Sequence, residues 1–518
     1  MLDRIAEIRR LESAVRAHSA QADGKLRSRG QLPARERVAR LLDPGAPFLE
    51  LSTLAGLGLH GDDGGDGATG GGAIAGVGLV RGAPVAVYAN DPGIKGGAIS
   101  PMGLRKNLRL HDIALAHRLP LVNLVESAGA DLRFQSEIFV DGGRIFANLA
   151  RHSAAGLPVI TVVHGSSTAG GAYLPGLSDF VVMVRRRAKV FLAGGPLVKA
   201  ALGEDADEQE LGGADLHATV TGSAEALADD DAEAIDRARA AVGRLCGEAV
   251  RAWHPPPGGP PPRHPPDALL DRVPTDHRTP VDPRELIACL VDDSQSEEFS
   301  AGFGAQTVCC HAALEGFDVA ILANHGPIDA DGAAKATHFI QLACQSGTPL
   351  IYLQNTTGYM VGTAAERAGI VKHGSQMIRA VANATVPQLT VLVGGSFGAG
   401  HYGMCGRAFG PRFLFAWPNA RIAVMGGEQA GDVLSIVAEA KLRRAGRPID
   451  RARLDAMKDA TRAQIDAEST ALFATARLWD DGILDPRDTR PTLAFCLALA
   501  HAAERHRPRP ISFGVARG

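Results

Sequence analysis

Apolar and polar positions along this chain fall into two alternating patterns. Apolar, β-branched runs such as Val85-Ala86-Val87-Tyr88-Ala89-Asn90 and Pro120-Leu121-Val122-Asn123-Leu124 end in Gly- or Asn-rich turns, as buried strands do. Stretches with helical spacing follow, Leu104 to His117 early in the chain and Ala333 to Cys344 late in it. Strands separated by helices and entered through proline predict parallel βα units with a buried sheet, so the expected fold class is α/β. A separate amphipathic helix is predicted over residues 1–20, where Leu2, Ile5, Ile8, Leu11 and Val15 share one face. That face is expected to pack on the domain or on a neighbouring subunit.

The pattern then repeats. Residues 85–90 match 319–324 at an offset of 234, and residues 120–124 match 349–353 at an offset of 229. LPVITVVHGSSTAGGAY (157–173) matches VPQLTVLVGGSFGAGHY (386–402), again at 229. A constant offset across separate blocks identifies a duplicated domain. Between the copies, His254 to Pro266 reads HPPPGGPPPRHPP, which forms neither helix nor sheet and is expected to act as a stiff spacer. The organisation predicted is a first domain over 1–252, a proline-rich linker over 253–282 and a second domain over 283–518.

Composition narrows the class. At 518 residues the chain exceeds one ordinary core. Its 54 Lys+Arg against 57 Asp+Glu leave a net charge of −3, which provides no basic field for nucleic acid or an anionic membrane. No run of 18 apolar residues predicts a membrane span, and Met1 to Ala20 is charged throughout, unlike a signal peptide. The seven cysteines (246, 289, 309, 310, 344, 405 and 496) are odd in number and form no CxxC pair. That spacing argues against a zinc ribbon or a disulfide framework, and a reduced, cytoplasmic setting is expected. The 61 Gly and 31 Pro are an excess over the ordinary share of about 12%. Part of it lies in an acidic loop, Gly61 to Gly72, read as flexible.

More of the glycine sits where chemistry is expected. In both copies a strand runs into a turn of small residues, Gly165-Ser166-Ser167-Thr168-Ala169-Gly170-Gly171 and Gly394-Gly395-Ser396-Phe397-Gly398-Ala399-Gly400, and each turn is predicted to open a helix. Free N–H groups there can hold a developing oxyanion, and small residues let a ligand approach the backbone. Close strand-to-helix packing would also use small residues, but two turns at matched positions favour the functional reading. A rival uses the same residues. Gly394-Gly395-Ser396-Phe397-Gly398 is a literal GxSxG, which would make Ser396 a hydrolase nucleophile with His501 or His506 completing a triad. The first copy breaks that pattern. His164 and His401 flank the turns as donor candidates or structural residues. Lys95, Arg105 and Lys106 could face a phosphate-bearing ligand or simply solvent. Gly76-Val77-Gly78 lacks the third glycine of a dinucleotide fingerprint, and Ala456-Met457-Lys458 lacks the second methionine of a biotin-attachment site.

At these turns the chain resembles the carboxyltransferase (β) subunits of biotin-dependent acyl-CoA carboxylases. The resemblance runs through RGQLPARERVARLLDPG (29–45), QSEIF (135–139), STAGGAYLPGLSD (167–179), VFLAGGPLVKAALGE (190–204) and ELGGADLH (210–217). It continues in QNTTGYMVG (354–362) and GAGHYGMCGRAFGPRFLFAWPNARIAVMGGEQ (398–429). The wording is similar to the methylcrotonoyl-CoA and geranyl-CoA types rather than the propionyl-CoA type. Glu126-Ser127-Ala128-Gly129, the short Val140 to Phe146 segment and Lys372-His373-Gly374-Ser375 look like the geranyl-CoA members.

The resemblance implies two crotonase-like domains per chain and a ring-shaped hexamer of such chains. It implies an active site between the first domain of one subunit and the second domain of its dimer mate. By the family pattern the N–H groups of Gly170 and Gly171 face the acyl-CoA thioester, and those of Ala399 and Gly400 face the ureido oxygen of biotin. Ala169, Ala172, Tyr173, Gly398, His401 and Tyr402 are expected to line the substrate sites. The biotin would be carried by a biotin carboxylase and carrier (α) subunit, since this chain has no carrier lysine motif and no recognisable ATP site. No metal is expected. The function implied is transfer of CO2 from carboxybiotin to a branched, unsaturated acyl-CoA of the 3-methylcrotonoyl type, with geranyl-CoA, and then propionyl-CoA, as alternatives.

Overall fold

Tight turns decide how each half of the chain is threaded into a sheet. The computed structural model describes residues 1–60, 69–203, 205–276, 279, 281–511 and 514–515, so residues 61–68 of the acidic loop lie outside the described residues. The chain forms two compact units. The first comprises Arg9–Pro255, Ala476–Leu478 and Ala498–Gly518; the second comprises Met1–Ile8, Pro256–Thr475 and Trp479–Leu497.

Among the described residues, the first unit holds eight strands: β1 (Phe48–Glu50), β2 (Ala73–Val80), β3 (Ala83–Asn90), β4 (Leu121–Ser127), β5 (Val159–Thr168), β6 (Phe180–Val184), β7 (Lys189–Phe191) and β8 (Ala226–Ala228). Their order is β1-β2-β3-β4-β5-β6-β8, with β7 beside the end of β5. The second unit holds β9 (Ser296–Glu298), β10 (Thr307–Leu314), β11 (Phe317–Asn324), β12 (Leu350–Thr356), β13 (Gln388–Phe397), β14 (Phe413–Ala416) and β15 (Arg421–Ala423). Here the order is β14-β13-β12-β11-β10-β9, with β15 beside the end of β13.

From β3 and from β11 onward the sheets are parallel, as expected of βα units. The opening strands lie ahead of those βα units: β1-β2-β3 and β9-β10-β11 are antiparallel. The cause is a two-residue turn in each copy. Arg81 and Gly82 have φ of 51° and 77°, and Glu315 and Gly316 have φ of 49° and 80°. Two successive left-handed residues make the hairpin turn whose twist matches its strands. Asp43 accepts from the N–H groups of Arg81 and Gly82, both at 2.8 Å. Asp292 does the same for Glu315 and Gly316, at 2.8 and 2.9 Å. Arg239 binds Asp43 at 2.8 Å, and Arg490 binds Asp292 at 2.6 Å. Each arginine also donates to a leucine carbonyl, Leu41 or Leu290. The duplication thus extends from the strands to the side chains that clamp them.

The proline-rich segment is tied to the second unit from Pro256 onward. Gly258 N–H donates to the Glu315 carbonyl at 3.1 Å, and Asp293 N–H donates to that of Pro260 at 3.3 Å. The N-terminal helix runs over Leu2–Ala20, with Ile5 and Ile8 buried and Leu2 exposed. Six of the seven cysteines are buried small apolar groups, and burial pushes the Cys246, Cys310 and Cys405 thiols up to about 12.

A second clamp is shared but unequal. Arg35 grips Glu50 through two hydrogen bonds of 3.0 Å, and Arg284 grips Glu298 at 2.7 and 2.8 Å. A buried lysine stands by each pair. Lys106 Nζ donates to the carbonyls of Gly70 and Ala73 at 3.1 and 2.9 Å, and burial pulls its pKa down to about 8. Among the described residues, Lys335 Nζ has only the Glu298 carboxylate, at 3.7 Å. Replacing Lys106 leaves buried carbonyls without donors, whereas Arg284 still neutralises Glu298 when Lys335 is replaced. Lys106→Met is therefore expected to lower stability by about 2–3 kcal/mol and Lys335→Met by less than about 1 kcal/mol. Thermal unfolding of the two variants side by side checks the order.

Candidate active site

Both predicted turns form at the ends of the central parallel strands. β5 passes through Ala169–Ala172 into the short helix Tyr173–Gly176, and β13 passes directly into the helix Gly398–Gly403. The first residue after each strand is left-handed, with φ of 53° at Ala169 and 56° at Gly398. For alanine this conformation costs about 1–2 kcal/mol. It swings the chain out of the sheet, so that the N–H groups of Gly170 and Gly171, and of Ala399 and Gly400, stand in a first helical turn with no preceding carbonyl to accept them. Gly170 and Ala399 are exposed, while Gly171 and Gly400 are buried beneath them.

The neighbouring strand supports each turn in the same way. Parallel pairing is interrupted by a bulge and resumes at Ser127 with Ser167, and at Thr356 with Ser396. The Ser127 and Thr356 hydroxyls each accept from an N–H two residues on, Gly129 and Gly358, both at 3.1 Å. Those glycines have φ of 88° and 115°. The next residue makes an isolated bridge, Ala130 with Ile99 and Tyr359 with Ile328. Glycine is required at 400, where a Cβ would lie 2.7 Å from Gly358 Cα.

The remaining predicted residues divide by exposure. Ala172 is buried, and Tyr173 and Tyr402 are 45% and 46% exposed, so their rings are open to a ligand. His401 is buried below its turn. Its Nδ1 lies 2.8 Å from Ser396 Oγ and 3.1 Å from Gln354 Oε1, and Gln354 donates in turn to the Met404 carbonyl. Burial pulls His401 down to about 4, so it is neutral. Ser396 is fully buried in β13 and donates to Gln354, which leaves no surface from which it can attack an ester. His506 Nδ1 is engaged with the Arg118 carbonyl.

His164 and the flanking cations differ in their surroundings. His164 is wholly buried, 3.0 Å from Asp231, which also pairs with Arg37 and Arg187. Lys106 holds backbone carbonyls, Arg105 is exposed near Glu137 and Asp141, and Lys95 sits in an exposed left-handed turn.

One feature escaped the sequence. A cavity of about 90 Å³ opens beside Gly170 and Gly171, lined chiefly by Tyr88, Ile99, Leu104, Ile138, Ile145 and Phe146. That is several times the space that one water needs. Ile138, Ile145 and Phe146 lie on one face of the helix Gln135–Ala154. Their spacing was readable as an apolar stripe, but not as the wall of a pocket.

Two backbone donor sets on duplicated mixed sheets, one beside an apolar cavity, define a crotonase-like carboxyltransferase architecture. Residues 25–512 match the family described as the carboxyl transferase domain, and the chain belongs to that family. The structure is similar to that of the geranyl-CoA carboxylase β subunit of P. aeruginosa, with a TM-score of 0.93 and 52% identity, covering 100% of this chain and 96% of that one. Two Mycobacterium tuberculosis proteins are similar in sequence. The probable biotin-dependent acyl-coenzyme A carboxylase β2 subunit is 50% identical, over 91% of this chain and 88% of its own length. The biotin-dependent 3-methylcrotonyl-coenzyme A carboxylase β1 subunit is 46% identical, over 96% and 94%.

Burial around the site and its sheets has a consequence for acid stability. It draws His111 down to about 3 and His152, His164 and His401 to about 4. An unfolded histidine titrates near 6.5, so the unfolded chain takes up these protons first. Their contribution to stability is complete above pH 6.5 and is lost progressively as pH falls toward 4. The urea midpoint is expected to drop between pH 7.5 and 5, and His111→Gln to reduce that drop; equal slopes for variant and parent would refute the assignment.

Proposed function

We propose that this chain is the carboxyltransferase subunit of a biotin-dependent acyl-CoA carboxylase, moving CO2 to a branched, α,β-unsaturated acyl-CoA. The observation that carries this reading is the apolar cavity at the Gly170 and Gly171 N–H groups, which receives an acyl chain while its thioester oxygen meets two backbone donors. Carboxylated biotin, brought by a partner subunit, supplies the CO2. Release of CO2 would leave the ureido group of biotin as an anion that takes up the proton lost by the acyl chain; Gly170 and Gly171 stabilise the negative charge that then develops on the thioester oxygen, and the resulting enolate forms the new carbon–carbon bond to CO2. Ala399 and Gly400 hold the ureido oxygen of biotin. Charge develops on oxygen in both places, so backbone donors suffice, each contributing about 3–4 kcal/mol. Holding both reactants in one site supplies much of the remainder. Tyr173 and Tyr402 flank the two ligands. A hexamer of these chains, in the cytoplasm, with the site completed between subunits, goes with this reading.

A ten-carbon geranyl chain is the second reading of the substrate. Its support is the similarity to the geranyl-CoA carboxylase β subunit of P. aeruginosa, at 52% identity over the whole of this chain.

A panel from propionyl-CoA to geranyl-CoA, assayed with the cognate biotin-bearing subunit, tests the proposal. Branched unsaturated substrates are expected to give kcat/KM well above that of propionyl-CoA. Absence of carboxylation with every acyl-CoA, together with fluorophosphonate labelling of Ser396, would overturn it in favour of a hydrolase. Gly400→Ala is expected to displace the second turn and to lower transfer to or from free biotin on the order of 10²-fold, measured by the exchange reaction.

A further inference from the structure

We infer that Tyr359 makes the two copies of the turn chemically unequal. It fills in the second unit the space that is an acyl cavity in the first, and so reserves the Ala399 and Gly400 N–H groups for a ligand with no chain at that point. This rests on the carboxyltransferase reading and adds a specificity-determining residue to it.

The two copies can be compared position by position. Leu121 pairs with Val159 where Leu350 pairs with Gln388, and Ala130 bridges to Ile99 where Tyr359 bridges to Ile328. Ala130 and Tyr359 therefore occupy the same place in a duplicated loop. Ala130 ends in a methyl group at the cavity wall, and Ile145 and Leu174 complete that side. At the same offset the second unit has Gly374 for Ile145 and Gly403 for Leu174.

Those glycines are what the tyrosine ring needs. A Cβ on Gly374 would lie 3.2 Å from the ring, and a Cβ on Gly403 would lie 2.2 Å from Tyr359 Oη. The phenol reaches the Gly374 carbonyl at 3.4 Å. One large side chain and two missing ones form a matched exchange, which turns a cavity into a packed wall against Met377 and Met404.

Ligand chemistry gives the exchange its meaning. A thioester carries its carbon chain directly on the carbonyl, so its oxygen can reach a donor pair only where a pocket beside the donors accepts the chain. A ureido oxygen is flanked by ring nitrogens, and the tail of biotin leaves from the far side of the fused rings. A filled wall therefore admits the ureido group and rejects the thioester.

The test uses the complex with the cognate biotin-bearing subunit, free biotin as the exchange substrate and the N-acetylcysteamine thioester of 3-methylcrotonate as an acyl probe without CoA. Tyr359→Ala is expected to make the probe competitive with free biotin and to add a second probe site per chain in a calorimetric titration. Ala130→Tyr, which needs no buried change, is expected to raise KM for acyl-CoA at least about tenfold and to leave KM for free biotin within about twofold. A Tyr359→Ala chain that unfolds like the parent yet shows neither competition nor a second site would overturn the inference. So would an Ala130→Tyr chain with unaltered acyl-CoA KM, which decides the matter if Tyr359→Ala does not fold. A parent complex inactive on every acyl-CoA would instead overturn the carboxyltransferase reading.

Discussion

A single backbone reversal governs both sites: the residue after the central strand turns left-handed, and the next two N–H groups leave the sheet together. At 398 glycine takes this conformation freely, but at 169 alanine takes it with φ of 53°. Strain of that kind persists where neighbours over-determine it. Here the neighbours are identifiable. Ser167 Oγ donates to the Gly171 carbonyl at 2.9 Å, and Ser127 fixes the loop of Gly129 alongside. The bulge ahead of Ser127 lets that loop run beside the turn instead of stopping short of it. Donor geometry is thus a property of the sheet ends and needs no particular side chain at the donors themselves.

This explains which parts were legible in the sequence. The duplication and the two turns were readable because small residues recur at a fixed offset, and the conformation demands small residues. The helices were readable too, although Leu104 to His117 begins at Pro101 in the structure, where Ser100 caps the helix and accepts from Gly103 N–H at 3.0 Å. The antiparallel openings were missed although Arg81-Gly82 lies between two apolar runs. The clamps could not be read at all. Arg239 meets Asp43 across 196 residues of chain, and no local pattern announces such a pair. Lys106 looked like a cation for a ligand because charge suggests surface, yet its ammonium is consumed by two buried carbonyls.

Comparing the copies separates what the fold requires from what the chemistry requires. The hairpin clamps, the bulge, the left-handed residue and the two donors recur in both units. The support beneath the turn does not: Val125, Ser167 and Ala172 in the first unit correspond to Gln354, Ser396 and His401 in the second. In the second unit those three side chains satisfy one another in the core, with His401 neutral, which is a packing solution. The resemblance of Ser396 to a nucleophile follows from the same need for small residues that shaped both turns.

Main-chain donors also bear on how one duplicated fold can serve two ligands. A side-chain catalyst ties function to residue identity, so altering the site risks losing the reaction. Backbone N–H groups are unaffected by substitutions around them, provided the left-handed residue and its glycine neighbours remain. Selectivity can then move to residues beside the donors, in loops whose composition follows no periodic rule. Ala130 and Tyr359 stand in such loops, one residue beyond the glycine that shapes each turn. The reaction is therefore written in the recurring small residues, whereas the identity of the acyl group is written in isolated positions that only acquire meaning once the fold has brought them together.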